Sequence, residues 1–442
     1  MNRYDTYKDS GIPWLGEVPS HWNMIKNKYI LEFSKGLTIT REHLTENGIP
    51  CVNYGEIHSK YGFEVNPAKH LLKCVPEEYL INHQNALLKN GDFIFADTSE
   101  DIKGSGNFTH LNSELPVFAG YHTIIARPNS KVVFPKFLAY VFDSNNYRNQ
   151  IRARVKGVKV FSITQAFLKN TFVWLPPLTE QTAIADYLDT KLDEIDTLID
   201  KQQILLEKLA EQRSAIITQA VTKGLNPNAP MKASGVEWLG DVPEHWESWK
   251  ITHSINLIGS GTTPKSDNEE YYNGNILWVT TSELRENVIF DTKQKVTTSA
   301  IKDYSALKIY PKNSVAIAMY GATIGRLGIL GKNATFNQAC CVFENSETLH
   351  YKFLFYWLWY RRPILVSLSN GGGQPNLSQD DLRKLKLPLP NYEEQTAIAD
   401  YLDQETAKID RLCETVNQTI GRLKEYRSAL ITQVVTGKIK VV

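Results

Sequence analysis

Cysteine is scarce. The 442 residues hold five, at positions 51, 74, 340, 341 and 413. The count is odd and no CxxC spacing occurs, so neither a disulfide framework nor a zinc site is expected, and the chain reads as reduced and cytoplasmic. Long apolar runs are missing too. The most apolar stretch, FLFYWLWY (Phe353 to Tyr360), runs straight into Arg361 and Arg362, far short of the ~20 residues a membrane span needs. The N-terminus, MNRYDTYKDS, has no secretory core, so no membrane association is expected. Charge of one sign is not in excess: the formal net charge is +1, so attraction to a polyanion has to come from local patches. Catalytic signatures are absent as well. There is no HExxH or GxSxG, no GxxxxGK[ST] loop (GATIGRLG at Gly321 is only superficially similar) and no Cys/His cluster at metal spacing. No catalysis, metal or cofactor is expected in this chain.

What the chain does have is repetition. EQTAIADYLD occurs at Glu180 to Asp189 and again at Glu394 to Asp403. RSAIITQAVTKG from Arg213 is matched by RSALITQVVTGK from Arg427, at the same offset. GIPWLGEVPSHW from Gly11 is matched by GVEWLGDVPEHW from Gly235. Length predicts several domains, and the repeats divide the chain into two half-units. Their ends are nearly identical and their middles diverge, the pattern expected of a shared frame carrying two different readers. Duplication followed by drift is the plainer alternative, but drift would blur ends and middles equally.

The shared C-terminal parts read as long helices. From Thr179 to about Thr222 there is no proline or glycine. Leu188, Leu192, Ile195, Ile199, Gln202, Leu206, Leu209, Arg213, Ile216 and Ala220 recur at a 3.5-residue period, and the second copy keeps the seam from Leu402 to Val434, as in a coiled coil. About 44 residues at ~1.5 Å each make ~65 Å. Thr179 is expected to cap the first helix, and Asn391 with Glu394 to form a capping box on the second. Gly224 and Gly437 are expected to stop them. Arg213 and Arg427 on the seam either meet a carboxylate or extend to solvent. A short connection, Leu225 to Ser234, predicts that the helices pair antiparallel, giving a pseudo-two-fold molecule. A protein that binds EQTAIADYLD could then bind twice. Glu180, Gln181, Ile184 and Tyr187, with Glu394, Gln395, Ile398 and Tyr401, are the candidate partner-binding residues, while Ile184 and Leu188 are also expected among the buried positions.

Both middles show short strand-like runs with glycine turns, such as NKYILEF (Asn27 to Phe33) and THSINLI (Thr252 to Ile258). A helix-like segment follows late in each, PKFLAYVF and YKFLFYWL. The predicted class is α+β with curved, mostly antiparallel sheets. The first middle carries a basic segment free of acids, NNYRNQIRARVKGVKVF. Alternation there would turn several of the basic residues Arg152, Arg154, Lys156 and Lys159 to one face for phosphates, or merely to solvent. Lys35, Thr38, Tyr54, Thr98 and Lys103 complete the DNA-binding candidates of this half. The second middle offers Thr262, Thr263 and Lys265 in GSGTTPKS, Tyr320, Thr323 and Arg326 in YGATIGRLG, Asn337 and Gln338, and Gln374 and Asn376 in GGGQPNLSQ. Arg, Asn and Gln can read base edges; each could instead support a turn.

Together, LPPLTEQTAIADYLD, LPLPNYEEQTAIADYLD, IPWLGEVPSHW, VEWLGDVPEHW, GTTPKSDNEEYYNGNILWVTTSEL and YGATIGRLGIL resemble the specificity subunit of type I restriction–modification systems. The resemblance spans nearly the whole chain. It implies a target recognition domain at 1–176, a long helix at 177–224, a second recognition domain at 225–390 and a second helix at 391–442. Each domain would read half of a bipartite, asymmetric site in double-stranded DNA. The helices would set the spacer and dock two methyltransferase subunits, which a restriction subunit can join. S-adenosylmethionine, ATP and magnesium would belong to those partners. The competing readings are a scaffold with duplicated docking helices and no DNA role, and a fused nuclease or methyltransferase with degenerate motifs.

Overall fold

The computed structural model describes residues 3–155, 157, 159–367 and 376–441. The chain forms two compact units, residues 1–202 with 418–442, and residues 203–417. The units divide inside the two long helices, Leu178–Lys223 and Tyr392–Val435. Each unit is therefore completed by the early half of one helix and the late half of the other.

In the first unit a five-stranded sheet is ordered Leu31–Lys35, Thr123–Pro128, Phe93–Ala96, Phe108–Leu111, Phe63–Val65. Its neighbours are antiparallel except the last pair, which is parallel. Phe93–Ala96 is buried throughout because both faces of the sheet are covered. Successive side chains point to opposite faces. Phe93 and Phe95 join the core that holds Phe137 and Phe142 of the helix Pro135–Asp143. Ile94 and Ala96 join a second core with Val52 and Phe118, which belong to a three-stranded layer, Phe118–Ala119, Ile49–Val52, Lys73–Val75.

The second unit repeats this plan with different residues. Its five strands are ordered Ile258–Gly259, Cys340–Phe343, Val315–Ala318, Leu327–Leu330, Asn287–Ile289, again with one terminal parallel pair. Val315 and Ile317 face the core of the helix Tyr351–Ser367. Ala316 and Ala318 face a core with Leu277, Val279 and Phe336, residues of the second three-stranded layer. The expected class, α+β with mostly antiparallel sheets, describes both units.

The long helices run antiparallel within each unit. In the first, Trp22 lies against both Glu180 and Gly437, while Arg427 Nε sits 3.0 Å from Asp196 Oδ1. In the second, Trp246 bonds Glu394 and lies against Gly224, while Arg213 pairs with Asp410. Both seam arginines thus meet a carboxylate. Every position of both predicted seams, Leu188 among them, is buried or half-buried, and Ile184, one turn before, is buried as expected.

Several local expectations change. The first helix starts at Leu178, and Pro177 O receives the amides of Glu180 and Gln181, so Thr179 lies inside the first turn and is not the cap. Asn391 does cap the second helix, its Oδ1 accepting from Glu394 N at 2.8 Å, but the Glu394 carboxylate turns to Trp246 and His245 instead of closing a box. Gly437 (φ +69) closes a Schellman motif: its amide donates to Val434 O and that of Lys438 to Gln433 O. NKYILEF is a strand only from Leu31. Asn27 Nδ2 donates to Tyr147, Leu168 and Thr171 and draws the preceding turn out of the sheet. THSINLI begins as a helical turn, Ile251–Ser254. Among the described residues no helix is long and apolar enough to cross a membrane.

Candidate nucleic-acid interface

In each unit the loops that leave one edge of the five-stranded sheet gather the sequence-predicted side chains. In the first unit, Lys35 is paired with Ile124 and Ala96 with Thr123, so residues 36–38, 97–99 and 120–122 emerge together. Gly36 is required there. A Cβ on it would lie 2.1 Å from Thr123 Oγ1 and 2.2 Å from Gly120 O. Lys35 and Thr38 are exposed and line one cleft with Asp97, Tyr121, His122 and Gln165. Tyr54, Thr98 and Lys103 line a second cleft of about 680 Å³ with His58 and Asn107. The Tyr54 ring packs edge-on against Tyr121 (5.7 Å) and His122 (5.5 Å). Burial first, then Glu56 and Tyr54, push the Tyr121 phenol up, so it stays protonated.

A polar chain that sequence reasoning missed stiffens this cleft. Arg148 Nη1 donates to Asn107 Oδ1 (2.7 Å), Asn107 Nδ2 lies 2.9 Å from His58 Nδ1, and His58 Nε2 lies 2.8 Å from Thr98 O. Bonded partners in this chain are 40 to 49 residues apart in sequence and share no local signature.

The basic segment corrects an expectation. Alternation is expected over RARVKGVKV, but its first residue, Arg152, ends the helix Asn145–Arg152, capped by Ser144 and burying Tyr147, Gln150 and Ile151. Arg152 is half-buried and its Nη2 donates to Lys103 O at 2.8 Å. Burial, then Arg148, lowers its pKa from the usual arginine value. It anchors the Lys103 loop and does not project for a phosphate. Arg154 and Lys159 are exposed. Lys156 lies outside the described residues, as does Gln374 of the second unit.

In the second unit Ala318 faces Cys340 and Gly259 faces Val342, so residues 260–263, 319–323 and 337–339 leave the equivalent edge. Gly261 passes so close that a Cβ would stand 1.6 Å from Phe336 O. Thr263 Oγ1 donates to Gln338 Oε1 (2.7 Å), and Thr262 O accepts from Trp278 Nε1. Tyr320 is bridged to Asn376, where the first unit pairs Thr98 with Ser162. Thr323 bonds Tyr320 O, and Arg326 is half-buried at the end of that turn. Asn337 Oδ1 accepts from Ala339 N (3.2 Å), so this side chain holds its own turn. Lys265 is exposed on the flank.

Within the repeated EQTAIADYLD stretches, the candidate partner residues Glu180, Gln181, Ile184, Gln395 and Ile398 are buried, so these side chains do not form an outward docking face. Glu180 is buried and accepts from Tyr4 Oη (2.5 Å) and Trp22 Nε1 (3.1 Å), with His21 Nε2 at 2.8 Å. Gln181 bonds Phe134, Val132 and Pro176. Ile184 and Ile398 have no exposure. Glu394 and Gln395 repeat these bonds to Trp246, His245, His350, Thr348 and Pro390. Asp186, Asp400 and Tyr401 are exposed and Tyr187 half-exposed. The two repeated motifs thus lock to each other: the His–Trp that ends one seizes the glutamate that starts the other.

A family model described as the type I restriction modification DNA specificity domain matches residues 19–208 and 243–422. The chain is 25% identical over 434 residues to a Methanocaldococcus jannaschii protein assigned as the MjaX specificity subunit of a type I restriction enzyme, covering 97% of this chain and 96% of that one. It is 20% identical to the specificity subunit of the type I restriction enzyme EcoKI of Escherichia coli K12, covering 96% and 90%. A chain solved in a study of the assembly and conformational transition of a type I R-M system aligns with a TM-score of 0.72 at 17% identity, covering 96% of this chain and 99% of that chain. The HsdS subunit from Thermoanaerobacter tengcongensis aligns at 0.55, also at 17% identity, covering 96% and 98%. The domain occurs twice, once in each half, and the chain belongs to the family of type I restriction modification DNA specificity proteins.

Proposed function

We propose that this chain is the sequence-recognition subunit of a type I restriction–modification complex, each unit reading one half of a bipartite, asymmetric site in double-stranded DNA. The observation that carries the reading is the pair of sheet edges: one topology, two different sets of side chains at the same place. Lys103, Arg154, Lys159 and Lys265 supply phosphate contacts, which set position. Lys35, Thr38, Tyr54 and Thr98 in one unit, and Thr262, Thr263, Tyr320, Thr323, Arg326, Gln338 and Asn376 in the other, present donors and acceptors to base edges. The chain itself is non-catalytic. Two methyltransferase subunits, which hold S-adenosylmethionine, dock on the outward residues of the repeats, Asp186 with Tyr187 and Asp400 with Tyr401. A restriction subunit with ATP and magnesium joins them.

The test is an exchange. Replacing residues 23–175 by a second copy of 247–389, between the matched frames, and combining the product with the methyltransferase should convert the asymmetric methylated motif into a palindrome of the second half-site. A motif that keeps both original halves would refute the reading.

A further inference from the structure

Among the described residues, His122 is the one exposed aromatic side chain of the first sheet edge that the fold holds from both its backbone and its ring. Its φ is +56, a conformation few residues other than glycine adopt, though histidine does so more readily than most. The turn before it is fixed: Thr123 Oγ1 donates to Gly120 O at 2.7 Å and Tyr121 N to Asn53 Oδ1 at 3.3 Å. Asp97 N donates to His122 O at 3.0 Å, and the Asp97 carbonyl accepts from Ile163 N at 2.7 Å. The Asp97 carboxylate then takes the ring, Oδ1 lying 3.1 Å from His122 Nδ1. Tyr54 buttresses the ring edge-on. Yet the His122 side chain remains 57% exposed. Backbone strain of this kind, kept by surrounding bonds, belongs to functional sites.

His58 provides the contrast. Both of its nitrogens are consumed, by Thr98 O and by Asn107, so it can only position its neighbours. In His122 the carboxylate of Asp97 claims the Nδ1 proton and leaves the lone pair of Nε2 pointing away, the tautomer following from the bond the other nitrogen makes. The turn 120–122 is also the topological counterpart of 337–339 in the second unit, where Gln338 is presented.

Resting on the DNA-reading function above, we propose that His122 is a specificity-determining residue, oriented by Asp97, whose Nε2 accepts a hydrogen bond from the exocyclic amino group of adenine or cytosine in the major groove. Those amino groups are the only base-edge donors displayed there. One such bond contributes about five- to tenfold discrimination.

The experiment uses the full-length chain with its methyltransferase partner, acting on duplexes randomised across the first unit's half-site. His122→Ala is expected to lose about five- to tenfold preference at a single base pair, in favour of the amino-bearing base, with the second half-site read as before. Asp97→Ala, which frees the ring, should weaken the same base pair and no other. Equal thermal unfolding of the variants guards against a folding effect. Undiminished discrimination in His122→Ala overturns the proposal, and so does an even loss on all sequences, which would mark a phosphate contact. A wild-type complex with no base preference in that half-site would instead overturn the reading of the chain as a DNA reader.

Discussion

Replacing Glu180 by alanine tests whether the two repeated motifs are a latch. The carboxylate is 9% exposed and takes Tyr4, Trp22 and His21. Trp22 is fully buried and Tyr4 8% exposed, so alanine strands two buried donors. Each stranded donor costs about 1–3 kcal/mol, giving about 2–6 kcal/mol in the first unit. Loss of an acid from the first helical turn adds about 0.3–1 kcal/mol. His21, its side chain 47% exposed, turns to water and adds little. Burial, then the Glu180 bond, pushes the Tyr4 phenol far above its ordinary range, so Tyr4 remains a donor at any working pH. Among the described residues, the matched substitution Glu394→Ala strands only Trp246, because His245 is half-exposed and no tyrosine joins. Its cost is about 1–3 kcal/mol for that donor, with the same ~0.3–1 kcal/mol for the first-turn acid. Urea unfolding of the two variants, followed by circular dichroism and tryptophan fluorescence, should therefore show the first unit losing about twice what the second loses. Equal losses, or a loss below about 1 kcal/mol in Glu180→Ala, would refute the latch.

Two other outcomes follow from particular residues. His110 is buried with its Nδ1 2.7 Å from Phe63 O, and burial holds its pKa below the ordinary histidine value despite that bond and Glu64. The unfolded chain therefore takes up the proton first as pH falls. The stability that His110's burial contributes is complete above about pH 6.5 and is lost as pH drops from there through the folded value. His110→Gln should flatten that slope in urea midpoints measured across the range, and an unchanged slope would count against it. Gly261→Ala places a methyl against Phe336 O and must displace the loop bearing Thr262 and Thr263. Methylation assays should show lost base discrimination in the second half-site alone, and an intact motif would show that this edge is not the reader.

What could be read in the chain before folding was what repeats locally. The identical ends announced two halves, and the 3.5-residue seam marked two helices of 46 and 44 residues. The shared topology of the middles was hidden, since FIFA at Phe93 and VAIA at Val315 have only burial in common. Glycine turns pointed to the loops around Thr38 and Thr262 because close backbone approach leaves a residue type behind. His122 left none: its importance comes from a left-handed turn and from Asp97, 25 residues away. Arg152 was misjudged because a basic run reads alike on a strand or a helix, and the helix turned it to Lys103. Repetition makes Glu180 a candidate partner contact; the partner of its carboxylate within the chain is the other repeated motif.

The central claim is that two similar units read two different half-sites. Mapping methylated adenines in DNA exposed to the methyltransferase with this chain, and without it, measures that claim directly. The account predicts a bipartite motif, its halves different and separated by a fixed gap, that vanishes when the chain is omitted. A perfect palindrome, or the same motif in the absence of the chain, would contradict it.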